Sequence, residues 1–305
     1  MTNGFNEFNL DCKQEIEDHV LLLDYKDHNL SFTNMYLWRK LYKLTVYISD
    51  DFIIVLSDFN GQTFSLNPIA TLENIPKAVD FLIDYFDSVN LPFRIHNCVR
   101  KVYEVINEKY GDQFVYTQDR DSFDYLYAIE KVMSYSGKKL QKKRNHVNNF
   151  LKEYEGRYQI KDITSSDASI IKDCIDLTHW WASKKEQDDL YLPTEVEGTI
   201  DVLENFDKLS CEGIAFYIDD KISAFSFGTQ LNEETAVLNV EKADGDIVGL
   251  FPYLRQNLVK TYFSDLKYLN TEDDVGEEGL RKSKLSYQPE YLVEKYIITR
   301  KDQHE

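Results

Sequence analysis

"GIAFYIDDKISAFSFGTQ" (213–230), followed by "TAVLNVEKADGDIVGLFPYL" (235–254), decides the fold. The first stretch alternates apolar and small polar residues on both sides of Asp219–Asp220, a pair suited to a two-residue hairpin turn. The second starts as a neighbouring strand, passes Gly245 and Gly249, and turns helical near Pro252, with Leu254 and Leu258 on one face. Hairpin, strand, glycine-bearing junction and helix together predict a mixed α+β unit.

Reading outward, "KYLNT" (267–271), a helix around 277–285 and "EKYIIT" (294–299) complete that unit. Ahead of it, Ile171, Cys174, Ile175 and Thr178 form a helical stripe, and Thr194 with Glu197 fits a capping box before Ile200 and Leu203. The first half repeats the theme. Val46, Ile48 and Phe52–Leu56 read as strands, and Gly61 turns the chain into "QTFSL". Pro76 opens a helix carrying Val79, Leu82, Ile83 and Phe86, and "FRIHN" (93–97) is a short strand. Val99, Val102, Tyr103 and Ile106 form another helical stripe before "DYLYAI" (124–129), a closing strand. Both halves end strand, helix, tyrosine-rich strand, without residue identity between them. The expected organisation is a domain over 1–130, a basic connecting helix over 131–155 with Val147, Phe150, Leu151 and Tyr154 on one face, and a domain over 156–305.

The 305 residues suit about two domains at roughly 150 residues each. A 43% hydrophobic fraction with 14% aromatics supplies a core. The net charge of −18 opposes a broad nucleic-acid surface and leaves room for a local basic groove. The opening residues carry acids where a secretory signal needs positive charge, and no stretch approaches the ~20 apolar residues of a spanning helix. The expectation is a soluble, cytoplasmic protein with reduced cysteines at 12, 98, 174 and 211. No His-Glu-x-x-His spacing occurs, His96 with Cys98 is too little for a nucleophilic pair, and "EDDVGEE" (272–278) lacks calcium-loop spacing. No metal is expected.

Two basic islands interrupt the acidic background. In "KKLQKKRNHVNNF" (138–150), Lys138 and Lys142, and Lys139 and Lys143, repel at helical i,i+4 spacing. Arg144, Asn145 and His146 add charge and directional donors suited to phosphate or carboxylate. In "GLRKSKLSYQPEY" (279–291), Arg281, Lys282 and Lys284 follow directly on the acids of 272–278. Each island reads equally as a solvated helix face. Gly245 and Gly249, at a strand-to-helix junction, offer backbone N–H groups to an anionic cofactor, although Asp244 and Asp246 oppose a phosphate and a turn-forming role is the alternative. "HWW" (179–181) reads as a packed helix face whose aromatics could line a pocket.

Together, "KKLQKKRNHVNNF", "NTEDDVGEEGLRKSKLSYQPEY" and the early "FTNMYLWR" (32–39) resemble a bacterial family of unknown function related to the C-terminal domain of phosphatidylglycerol lysyltransferase. The resemblance runs from about residue 32 to the end. It implies an α+β fold of two tandem GNAT-like (acyl-CoA N-acyltransferase-like) domains, each a mixed central sheet flanked by helices. It also implies transfer of an acyl or aminoacyl group to an amine or hydroxyl acceptor. Glu272, Asp274, Arg281, Lys284 and Tyr287 are then expected to face the cleft, and the 138–146 helix to line it.

Under that reading Glu272 or Asp274 is the base, Tyr287 a donor or acid, and Arg281, Lys282 and Lys284 hold a phosphate, a carboxylate or a tRNA 3′ end. The donor is an acyl-CoA such as acetyl-CoA, or an aminoacyl-tRNA. The Arg/Gln-x-x-Gly-x-Gly pyrophosphate loop of acetyl-CoA enzymes is missing at 241–249. The alternative is a non-catalytic binding or regulatory protein that keeps a transferase fold and takes up an anionic metabolite or a partner.

Overall fold

The computed structural model describes residues 4–185 and 191–301. The chain forms two compact units that interleave in sequence. The first takes the chain up to Asp124, residues 273–278, and the chain from Leu292; the second takes 125–272 and 279–291.

In chain order the first unit supplies β1 (Asn6–Glu7), α1 (Lys13–Leu21), α2 (Phe32–Trp38), β2 (Thr45–Ile48), β3 (Ile53–Phe59) and β4 (Gln62–Ser65). Next come α3 (Ile75–Ser88), β5 (Arg94–Val99), α4 (Arg100–Tyr110) and β6 (Phe114–Gln118). β2, β3 and β4 pair antiparallel, and β5 lies parallel to β4 after the α3 crossover. Ile53–Ser57 of β3 are buried throughout, as a strand covered on both faces requires. Val79, Leu82 and Phe86 are fully buried on α3, so the stripe behind Pro76 packs as its spacing predicts.

Next in the chain are β7 (Asp124–Ala128), α5 (Ile129–Ser134), α6 (Gln141–Glu153), β8 (Tyr158–Asp162), α7 (Ala168–Ser183), α8 (Leu192–Glu204), β9 (Glu212–Ile218), β10 (Lys221–Gln230) and β11 (Thr235–Ala243). The chain closes with α9 (Leu250–Tyr262), β12 (Tyr268–Asn270), α10 (Glu278–Ser286), β13 (Tyr291–Val293) and β14 (Lys295–Arg300). β9, β10 and β11 are antiparallel, and β12 lies parallel to β11 after α9. Each unit therefore repeats one plan: three antiparallel strands, a helical crossover to a parallel strand, then another helix. The α+β class and the two similar units are as the sequence predicts.

Three features depart from the sequence expectations. The sheet orders are β1-β2-β3-β4-β5-β14-β6 and β13-β7-β12-β11-β10-β9-β8. β7, expected to close the first half, lies next to β12 in the second sheet, and β14, expected to close the second, lies between β5 and β6. Each half thus gives its last strand to the other half's sheet, and the expected contiguous boundaries at 130 and 156 do not describe the units. The expected 131–155 connecting helix is two helices. Tyr135 adopts a left-handed conformation (φ 45°) that ends α5, and Arg144 donates to the Tyr135 and Gly137 carbonyls across the break. Finally, α8 starts at Leu192, before the Thr194–Glu197 box, because Pro193 suits a first-turn position; Tyr191 is the N-cap, and its side chain does not cap the helix.

The turn at Asp219–Asp220 is as expected. Both residues have positive φ (48° and 63°), the requirement of a two-residue type I′ hairpin.

Candidate functional site

The second unit gathers its unusual chemistry around β11. Its register against β10 slips between Phe227, opposite Val240, and Gly228, opposite Leu238, leaving Asn239 as the extra residue of a bulge. Gly228 is needed there, since a Cβ would lie 2.3 Å from the Val237 carbonyl oxygen. Thr229 Oγ1 donates to Asn239 Oδ1 at 3.0 Å. β12 pairs with β11 over Thr235–Val237. From Leu238 on, β11 pairs with β10 alone among the described residues. The pairing of the two parallel strands thus ends beside the bulge.

Past the bulge, consecutive residues point to opposite faces. Glu241 meets Arg255 of α9 in a bidentate pair, Nε to Oε1 at 3.2 Å and Nη2 to Oε2 at 2.7 Å. Lys242 is fully buried on the other face. Its ammonium lies 2.5 Å from Glu195 Oε1 and 3.5 Å above the Trp181 ring. Burial pulls Lys242 below its ordinary pKa, against the attraction of Glu195 and, more weakly, Glu272.

Tyr287, directly after α10, lies on the Glu241–Arg255 side and is 8% exposed. The Lys143 ammonium sits 3.6 Å from its ring centroid and the Arg255 guanidinium 4.5 Å. Tyr127 and Tyr135 crowd its edges at 6.3 and 6.1 Å. Burial raises the Tyr287 pKa, so the phenol stays protonated and able to donate. Its hydroxyl makes no hydrogen bond among the described residues, and Lys143 has no carboxylate partner there. Burial first, then Arg255 and Lys142, pull the Lys143 ammonium down to about 8.

Lys284, one turn before Tyr287 on α10, donates to the Thr271 carbonyl. The next residue, Glu272, is half-buried with φ 63°, a conformation costly for a residue with a Cβ. Its N–H donates to Asn270 Oδ1 at 2.7 Å and its carbonyl accepts from Tyr125 N–H.

Of the residues singled out by sequence, the structure brings together Lys143 and Tyr287, with Lys284 and Glu272 linked through Thr271. Lys138, Lys139, Lys142 and Asn145 are exposed around Lys143, and His146 is half-buried. Arg144 is committed to the α5–α6 break. Arg281 is half-buried and Lys282 exposed on α10. Asp274 lies in the first unit, fully buried, where it accepts from Arg120 at 3.3 Å and Gly276 N–H at 3.0 Å. The structure gives that carboxylate a turn-holding task in place of the expected base. Gly249 (φ 93°) lets α9 meet α6, since a Cβ would sit 2.3 Å from the His146 carbonyl oxygen. Packing explains it, whereas Gly245 lies in open space.

Sequence reasoning missed Glu241, Arg255, Lys242 and Glu195, and singled out Trp181 within "HWW". The available signal was the Glu241–Lys242 pair inside an otherwise apolar strand, where an unpaired charge is too costly to leave. It also missed a buried cluster in the first unit. Lys295 lies 2.7 Å from Asp27 Oδ1, 2.6 Å from Asp124 Oδ1 and 3.2 Å from His28 Nδ1. His28 Nδ1 lies 2.7 Å from Asp124 Oδ1, and the His28 N–H donates to Asp124 Oδ2. Asp27, His28 and Asp124 offer metal-type donor atoms within 4.8 Å of one another, but the Lys295 ammonium is the cation among them.

Among the described residues no helix is long and apolar enough to cross a membrane. A conserved protein of unknown function from Bacteroides thetaiotaomicron is 30% identical, with a TM-score of 0.91 over 97% of this chain and 99% of that one. The L-PGS structure from Bacillus licheniformis shares the fold at a TM-score of 0.70 and 12% identity, over 97% of this chain and 93% of that one. An uncharacterised protein of Mycoplasmoides gallisepticum, MYCGA3080, is 30% identical over 199 residues, 64% of this chain; the match spans 61% of that relative's length. The family described as "Phosphatidylglycerol lysyltransferase, C-terminal" matches residues 21–299, and this chain belongs to it.

Proposed function

We propose that this chain moves an acyl or aminoacyl group to an amine or hydroxyl acceptor in the second unit, where β11 and β12 part. The observation that carries the reading is the Tyr287 hydroxyl. It is protonated, unbonded among the described residues, and set beside two cations in a largely buried place. Such a donor suits the oxyanion that develops when a nucleophile adds to an acyl carbonyl.

In this mechanism the acceptor's N–H or O–H gives its proton to Glu272 as its lone pair attacks the acyl carbon. Tyr287 donates to the resulting oxyanion. The bond to the donor's oxygen or sulfur then breaks as the oxyanion collapses, and that atom leaves with the proton that Glu272 took up. Lys143, with the exposed Lys138, Lys139 and Lys142, engages phosphates of the donor. An aminoacyl-tRNA fits better than coenzyme A, because Gly249 is occupied in packing against α6 and the pyrophosphate loop is missing. The family's name, a lysyltransferase, supports an aminoacyl group as the one transferred.

The test uses tRNA charged with radiolabelled lysine or alanine, with hydroxylamine as a generic acceptor. Transfer is expected, slowed at least about tenfold by Tyr287→Phe, a loss in the range of one oxyanion donor. If no charged tRNA and no acetyl-CoA supports transfer while polyanions still bind, the chain is a non-catalytic binder.

A further inference from the structure

We propose that Lys143 is a nucleophilic amine that activated acyl esters or thioesters acylate on Nζ, converting a cation of the site into a neutral amide. It rests on the transfer reading only for the natural source of the acyl group. Lys143 is half-buried on α6, with its ammonium against the Tyr287 ring at 3.6 Å and no carboxylate partner among the described residues. The charged groups facing it come from three elements. They are Lys142 of its own helix, Arg255 of α9, and Glu241 of β11, which Arg255 already holds in a bidentate pair.

Burial and two neighbouring cations therefore disfavour the charged amine, and its pKa falls to about 8. A lysine that is desolvated or placed beside another cation gains nucleophilic character near neutrality, where an ordinary lysine is protonated. Lys138, Lys139 and Lys142 are exposed on the same segment and serve as internal references.

In the step itself, the Nζ lone pair attacks the acyl carbon and the C–O or C–S bond breaks. The departing alcohol or thiol takes the proton that Nζ releases. No oxidant, reductant or further reactant is involved. The amide product removes one positive charge from the site and one cation from the Tyr287 ring, so acylation weakens binding of anions there.

The full chain is treated with a limiting amount of the N-hydroxysuccinimide ester of acetate, and peptide mass spectrometry reads acetylation at Lys143, Lys142 and Lys139. Near pH 7.5, Lys143 is expected to react roughly tenfold faster than either reference, with a rate that levels above about pH 8. Labelling of Lys143 at or below the rate of Lys139, or an identical pH profile at all three, overturns the proposal. Lysyl-tRNA supplied in a second arm separates the two readings. A lysyl adduct on Lys143 supports both. Selective reagent labelling without a tRNA adduct supports the nucleophile and counts against tRNA as donor.

Discussion

Tyr287 combines two contributions that substitution can separate. Its ring carries Lys143 and Arg255 at 3.6 and 4.5 Å, while its hydroxyl is left for a ligand. Tyr287→Phe keeps the ring, so thermal unfolding is expected to shift by no more than about 2 °C while transfer falls at least about tenfold. Tyr287→Leu removes the aromatic face as well, and a stability loss of about 1–3 kcal/mol is expected in urea unfolding. If Tyr287→Phe costs as much stability as Tyr287→Leu, the hydroxyl is structural. Lys143 gives a pH test. Its ammonium binds anions only while protonated, and its pKa is drawn down to about 8. Calorimetric affinity for inorganic pyrophosphate is therefore expected to fall between about pH 7 and about pH 9. Lys143→Arg, charged throughout, should flatten that step; an unchanged slope would assign it to another group. At this scale the sequence showed Lys143 and Tyr287 as candidates, because basic runs and a Ser-Tyr-x-Pro tail stand out in an acidic chain. It could not show Arg255 or Lys242, whose meaning comes from partners 14 and 47 residues away.

Among the elements, hairpins and amphipathic stripes were legible, since their signals are local: Asp219–Asp220 specify a turn and Val79, Leu82 and Phe86 a helix face. The capping box misled because Pro193 allows an earlier start, and helical spacing over 131–155 did not register the left-handed Tyr135. Gly249 marks the limit best. Its place at a helix start suggested an anion site, yet what requires glycine is the backbone of α6. Gly249→Ala combines a positive-φ penalty with a Cβ 2.3 Å from the His146 oxygen, so a loss of about 2–4 kcal/mol is expected in urea unfolding. Gly245→Ala, in open space, should change stability by no more than about 0.5 kcal/mol. Equal effects at both positions would remove the packing argument. If Gly245→Ala were instead to abolish binding of a nucleotide donor, the open junction would regain the cofactor role.

At the scale of the whole molecule, the exchange of β7 and β14 was invisible in sequence, because strand order is set by pairings far apart along the chain. The buried cluster sits where those strands begin: Asp124 is the first residue of β7 and Lys295 the first of β14. Burial opposes every charge there, but mutual attraction prevails. Asp124 is held below its ordinary pKa, chiefly by His28 and Lys295, and Lys295 above its own by Asp124 and Asp27. For Asp124 the stabilisation is present above its unfolded pKa near 3.9 and is lost as pH falls through the lower folded value. For Lys295 it is present below about 10.4 and is lost as pH rises through the higher folded value. The Asp124 and Lys295 parts should thus be flat from about pH 5 to about pH 9 and decline on either side, while His28, held above its ordinary pKa by Asp124 against its burial, adds a part that is present below about pH 6.5 and is lost as pH rises through its folded value. Lys295→Met leaves two buried carboxylates without their ammonium, and a loss of about 3–5 kcal/mol is expected in urea unfolding at neutral pH. Adding Asp124→Asn removes one of those charges, so the double variant should be more stable than Lys295→Met alone, with a coupling of roughly 1–3 kcal/mol. It should also lose the acid-side decline assigned to Asp124. Strictly additive losses would mean that the lysine acts through packing alone, and the charges at the starts of β7 and β14 would not be what secures the exchanged strands.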